Sequence, residues 1–181
     1  MEPILEGGAD DIAQRAWRAL LRAHRRVARA LDADLSQRGG IPLRAYEVLE
    51  RLSRAPHGAM RMSDLATSVL LSASGVTRLV DQLVERQFLE RRPDPSDARV
   101  AIAGLTREGR LVLRRAAGIY SDGVKRQFAA HLSEGDLNAI ADALERLLAA
   151  GDALWPPPEP RPVRAPRPDA AKRPTRRERG R

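Results

Sequence analysis

The chain has 181 residues, with 32 Lys and Arg against 24 Asp and Glu, and a formal net charge of +8. It has no cysteine, which excludes disulfides, a thiolate nucleophile and a cysteine metal site, and no apolar run approaches the roughly 20 residues that span a bilayer. Aromatic residues make up only 3%, so a core must be built from Leu, Ala and Val. The opening stretch MEPILEGGADD lacks the basic and apolar segments of a signal peptide, so a cytoplasmic protein with no membrane contact is expected. Residues 1–10 read as a flexible N-terminus. From Asp11 to about Ser36, Ile12, Ala16, Leu20, Ala23, Val27, Leu31 and Leu35 recur every three or four residues, the apolar stripe of a long helix. Gly39-Gly40 ends the connection, and Pro42 opens a helix through Tyr46, Val48, Leu49 and Leu52 at a favoured position. Pro56-His57-Gly58 breaks it.

The next forty residues predict a short helix, a turn, a second helix and a hairpin. Ser63 can cap the short helix, with Asp64 in its first turn and Leu65, Ala66 and Val69 on its apolar side. Ser72 can start the second helix. There Val76, Leu79, Val80 and Leu83 fall at helical spacing and should face the core, leaving Ser74, Thr77, Arg78, Asp81 and Gln82 on the other side. Arg pairs with guanine in bidentate fashion, and Ser or Thr bonds to bases or phosphate, so that polar side suits a DNA groove. Gly75 costs the helix about 1 kcal/mol against Ala, which fits a backbone that must approach DNA or the preceding helix closely. Phe88 to Arg92 and Val100 to Gly104 read as two strands of a hairpin. Between them, Pro93 to Arg99 carries two prolines and reads as an irregular tip. Arg91, Arg92 and Arg99 place positive charge on the hairpin where a phosphate could be met. Thr106 then caps a long helix bearing Leu111, Leu113, Ala117, Tyr120, Val124 and Phe128. Ser133 caps a last one bearing Leu137, Ile140, Ala141, Leu144, Leu147 and Leu148, with Gly151 near its end.

The order helix, turn, helix, hairpin is that of a mainly α (α+β) winged helix-turn-helix. In this fold a reading helix enters the major groove and a two-stranded ribbon follows the backbone. The stretch resembles the core of MarR-family transcriptional regulators. The matching residues are Ser63-Asp64-Leu65-Ala66, Ser72 through Asp81, Leu89-Glu90-Arg91, Asp94 through Arg99 and Leu105-Thr106-Arg107-Glu108-Gly109. A looser similarity runs from about Asp11 to Gly151. The resemblance implies a DNA-reading part at about 43–104 and dimerisation helices at about 11–36 and 106–151, within one domain at 11–154. It also implies that Asp97 positions Arg99, which enters or borders the minor groove. The cysteine-oxidation sensing of some relatives is excluded. Many relatives carry a glycine before the first wing strand; Gln87 stands there and implies a slightly different turn.

The long helices at both ends can pack against a second copy. A two-fold homodimer would present two reading helices to major-groove faces about 34–36 Å apart on a pseudo-palindromic operator. The DNA-binding residues expected are Ser63, Ser72, Ser74, Gly75, Thr77, Arg78, Arg91, Arg92, Asp97 and Arg99. Relatives often release DNA when an aromatic anion binds between the dimer helices and the reading domain. Trp17, His24 and Tyr46 could line such a pocket, or serve as ordinary packing. Residues 155–181 are rich in Pro and Arg and should be disordered. From Pro156 they hold nine basic and three acidic residues, so +6 of the +8 lies in this tail. The tail is either a sequence-blind DNA arm or a segment without a role. His24, His57 and His131 are far apart, and no GxSxG, HExxH or phosphate-cradling loop occurs, so no enzyme, metal or cofactor is expected. The function expected is a dimeric repressor released by a small aromatic or anionic effector. The alternative is an architectural or DNA-coating protein driven by the tail.

Overall fold

The computed structural model describes residues 8–69 and 73–154. The expectations for the first seven residues, for Ser72 and for the tail therefore lie outside the described residues. The chain forms α1 (Gly8–Asp34), α2 (Leu43–Arg54), β1 (Ala59–Arg61), α3 (Met62–Ser68), α4 (Ala73–Glu85), β2 (Leu89–Asp94), β3 (Asp97–Leu105), α5 (Arg107–Gln127) and α6 (Glu134–Leu154). Helix α1 begins three residues earlier than its stripe predicts, inside the stretch read as flexible. It ends in a π turn, Leu35–Gly39, closed by Gly40 in the left-handed region at φ 70°.

The core forms where α2, α3, α4 and one sheet face converge. Leu49, Leu52, Leu65, Val76, Val80, Leu83 and Leu89 are at its centre, each 2% exposed or less. Burying one such side chain contributes about 1.5–3 kcal/mol, so the stripe of α4 fixes which side of that helix faces out. The C-terminal half of α1 docks on α5, with Leu31 and Leu35 buried. Its N-terminal half does not: Ile12 is 59% exposed and Trp17 58%. Leu147 and Leu148 of α6 are likewise uncovered, at 61% and 65%.

Caps and turns account for the element ends. Thr106 accepts from the Gly109 amide at 2.9 Å, as its position predicts. Its Oγ1 also lies 3.0 Å from the Phe88 carbonyl, joining the start of α5 to the start of the wing. Ser133 and Asp136 exchange hydrogen bonds around the first turn of α6, a reciprocal cap. Two expectations need correction. Ser63 is not the cap of α3, because β1 holds Arg61 extended and the helix starts at Met62. Ser63 instead donates to Asp64 at 3.1 Å from within the first turn. Pro42 is the N-cap of α2 rather than its first helical residue. Its ring offers no side-chain acceptor, and Asp32 of α1 supplies one to the Leu43 amide at 2.8 Å.

The sheet is antiparallel in the order β1-β3-β2. Strand β1 has no counterpart among the predicted elements; it pairs Ala59 with Gly104 and Arg61 with Ile102. The hairpin is also longer than predicted. Pro93, Asp94, Asp97, Ala98 and Arg99 belong to strands, leaving Pro95 and Ser96 as the turn. Proline is tolerated at 93 because β2 is an edge strand, where one row of N–H groups has no ladder partner. Gln87 adopts φ 60°. That is the left-handed region, which a glycine would occupy without strain. Arg86 stacks over the Phe88 ring, 4.6 Å from its centroid, and donates to the Gly40 carbonyl at 2.8 Å.

Candidate nucleic-acid interface

Helix α4 buries Val76, Val80 and Leu83 and turns Ser74, Arg78, Asp81 and Gln82 to solvent. Thr77 and Gly75 are half-buried at the border of that face. Among the described residues no carboxylate pairs with Arg78. The guanidinium therefore stands on an outward polar face one turn from the helix start. Ser63 is exposed on α3, the helix that precedes it.

The wing is tied to α4 by an ion pair between Arg91 and Asp81 at 3.1 Å. Both side chains are about half exposed, so the pair contributes less than about 1 kcal/mol and is open to exchange with a phosphate. Arg99 is exposed, and its amide donates to the Asp97 carboxylate at 3.0 Å, which sets the backbone leaving the turn. Arg92 sits differently. It and Arg61 are both opposite Ile102 in register, one from each side. Side chains at paired positions share a face, so the two stems lie over the fully buried Ile102. Arg92 is 20% exposed, and its Nε, 3.6 Å from Glu90, makes no hydrogen bond.

Two further residues shape the wing in roles that the sequence reading does not assign. Asp94 is buried and accepts from the Ser96 amide at 2.9 Å and the Ser96 hydroxyl at 2.7 Å, closing the turn. Arg61 reaches it from β1, with Nε at 3.0 Å and Nη2 at 2.8 Å. The Ser96 bonds, and then Arg61, hold the Asp94 carboxyl below the usual carboxylate range. Asp-Pro-Ser is a recognisable turn signal. Arg61 lies 33 residues away and carries no local mark of this role.

An open groove of about 900 Å³ runs between α1, α2 and α5. His24 and Tyr46 line it together with Tyr120; Trp17 does not. The Tyr46 and Tyr120 rings stack at 4.6 Å and 21°. Burial, followed by Glu50 for Tyr46 and Glu47 for Tyr120, raises both hydroxyls above the usual tyrosine value. The groove's acids are engaged: Glu47 with Arg44 at 3.2 Å, Glu50 with Arg54, and Asp32 with the Leu43 amide. Arg29 and Arg51 also line it and pair with no carboxylate among the described residues. Among those residues no helix is long and apolar enough to cross a membrane, and no group of three His, Asp or Glu could hold a metal ion.

The sequence model of the MarR family matches residues 41–101, the stretch from the start of α2 into β3. The chain is 38% identical over 64 residues to an uncharacterised HTH-type transcriptional regulator, YhbI, of Bacillus subtilis. That match takes in 35% of this chain and 42% of YhbI, less than half of the relative's length. Solved structures match over more. Sco3205 of Streptomyces coelicolor, a MarR family regulator solved in complex with DNA, superposes with a TM-score of 0.72 at 28% identity, over 86% of this chain and 93% of that one. AbsC, a MarR family transcriptional regulator from the same organism, is 30% identical with a TM-score of 0.71, over 84% of this chain and 99% of its own. Because AbsC is matched at 30% identity over 99% of its own length, and the MarR family model matches residues 41–101, this chain belongs to the MarR family of transcriptional regulators.

Proposed function

We propose that the chain is a sequence-specific transcriptional regulator that binds operator DNA as a homodimer and acts as a repressor. The observation that carries this reading is the outward face of α4. Ser74, Thr77 and Arg78 are held there by a buried stripe on the opposite side and flanked by the wing arginines Arg91 and Arg99. Arg78 reads a base edge, Ser63, Ser72 and Ser74 meet bases or phosphates nearby, and Arg99 serves the minor-groove side with Asp97 behind it. Gly75 lets the helix backbone come close. Arg92, with its stem laid over Ile102, supports the wing's outer face and contributes charge at its rim. The uncovered apolar residues at the two ends of the chain, Ile12, Trp17, Leu147 and Leu148, support pairing with a second copy. On this reading the chain is a cytoplasmic DNA-binding protein with no enzymatic role.

Release is assigned to the groove beside the tyrosine stack. With its carboxylates engaged and Arg29 and Arg51 unpaired, it suits an aromatic anion, with His24 and Tyr46 in contact. Trp17, outside the groove in one subunit, serves the subunit contact instead.

Footprinting across the protein's own genome tests the whole reading, with and without aromatic carboxylates. A discrete pseudo-palindromic footprint is expected. Arg78→Ala should weaken that site by about 1–3 kcal/mol and relax preference at one position per half-site. Uniform coverage of DNA, or an equal loss on random DNA, would refute base reading by Arg78.

A further inference from the structure

One face of α1 is built in a way that the operator reading does not use and that the groove touches only at Arg29. Between Ile12 and Leu31 the chain carries no Asp or Glu, yet it carries Arg15, Arg18, Arg22, Arg25, Arg26 and Arg29. At 3.6 residues per turn these six fall within one sector about 100° wide. All six are exposed, and none pairs with a carboxylate among the described residues. Neighbours in the stripe are spaced three or four apart, where like charges repel and weaken a helix. A surface helix shaped for stability alone would intersperse acids. The uncovered apolar residues Ile12, Trp17, Leu20 and Leu21 lie outside the sector, so pairing through them leaves the arginines in water.

We propose that this arginine face is a second, sequence-blind docking surface for the sugar-phosphate backbone of duplex DNA. The stripe spans about 21 Å along the helix axis. That length of duplex carries about a dozen phosphates, enough to engage every arginine. Guanidinium groups bind phosphate in bidentate fashion, which suits an array of fixed anions. A bilayer fits less well, because the C-terminal part of the apolar face, through Leu31 and Leu35, is already buried in the fold. The surface is separate from α4, so a subunit seated on its operator keeps it available to another stretch of DNA.

The test uses the full chain and a random-sequence duplex of about 30 base pairs, with affinity measured between 50 and 200 mM salt. The variant Arg18→Gln, Arg22→Gln, Arg25→Gln, Arg26→Gln should flatten the slope of log affinity against log salt by about 0.9 for each phosphate that is no longer neutralised, hence by about 2–4. Lysine at the same four positions should keep the slope. Should the glutamine variant fail to fold, Arg22→Gln, Arg26→Gln should flatten it by about 1–2. An unchanged slope overturns the proposal. So does a variant that loses binding to phosphatidylserine vesicles while its DNA slope stays, which would assign the face to a membrane. Arg78→Ala should change operator preference and leave the stripe's share of the slope intact, so failure of the operator reading is distinguishable from failure of this one.

Discussion

Replacing Gly109 by alanine tests the packing in a way that helix propensity alone gets wrong in sign. Gly109 lies in the first turn of α5, where alanine is ordinarily favoured by about 1 kcal/mol. Here an added Cβ would run into the Phe88 carbonyl oxygen, and would lie 3.0 Å from its carbon and 2.8 Å from Leu105 Cδ1. That carbonyl cannot yield freely, because it accepts from the Thr106 amide at 3.2 Å and from the Thr106 hydroxyl at 3.0 Å. Overpacking costs about 1–3 kcal/mol and each weakened hydrogen bond about 1 kcal/mol, against the roughly 1 kcal/mol gained, so Gly109→Ala should destabilise by about 2–4 kcal/mol. For a domain of this size that lowers Tm by about 5–15 °C in thermal unfolding followed by circular dichroism. Gly118, also in α5, has nothing within 4 Å of where its Cβ would be. Gly118→Ala should raise Tm by about 1–4 °C. If Gly109→Ala leaves Tm unchanged or raises it, the close approach of α5 to the wing is wrong.

Gln87 holds a backbone conformation at φ 60° that costs a residue with a Cβ about 1–2 kcal/mol, so Gln87→Gly should recover about 1 kcal/mol in urea unfolding. A loss instead would mean that the glutamine side chain stabilises the turn. The Asp94 carboxyl, held below its usual range by Ser96 and Arg61, contributes stability that is present above about pH 4 and lost as the pH falls through its lowered value. Unfolding of Asp94→Asn should therefore depend less on pH below about 4 than that of the parent chain. Curves of equal slope in that window would remove Asp94 from the acid response.

The helical frame was legible because its signals are local. The stripe through Val76, Val80 and Leu83 chose the buried side of α4, and Thr106 and Ser133 marked helix starts by residue type alone. What escaped depends on distant pairing. Strand β1 is three residues long and exists because β3, some forty residues on, accepts it; nothing in Ala59-Met60-Arg61 itself demands a strand. The same pairing moved the start of α3 to Met62 and disqualified Ser63 as its cap. The prolines at 93 and 95 suggested a long irregular tip, but a proline is harmless on the outer row of an edge strand. In the candidate site, the outward placing of Arg78 was legible from helical spacing, and the hairpin's positive charge from Arg91 and Arg99 by residue type. The role of Arg61 was not, since it follows from where Asp94 sits in space. Trp17 and His24, seven residues apart on α1, looked like one surface; the groove begins nearer the C-terminal half and takes in only His24.

Arg86 bridges places that the sequence keeps 46 residues apart, its head on the Gly40 carbonyl and its plane against Phe88. The trailing end of α4 is thereby moored to the corner where α1 hands over to α2, beside the groove that holds the tyrosine pair. Any rearrangement that displaces Gly40 must either drag that end of the helix along or break the mooring and bare an aromatic ring to water. On the proposed reading, the angle at which α4 would meet a groove of DNA is thus set partly from behind, by a corner on the far side of the helix.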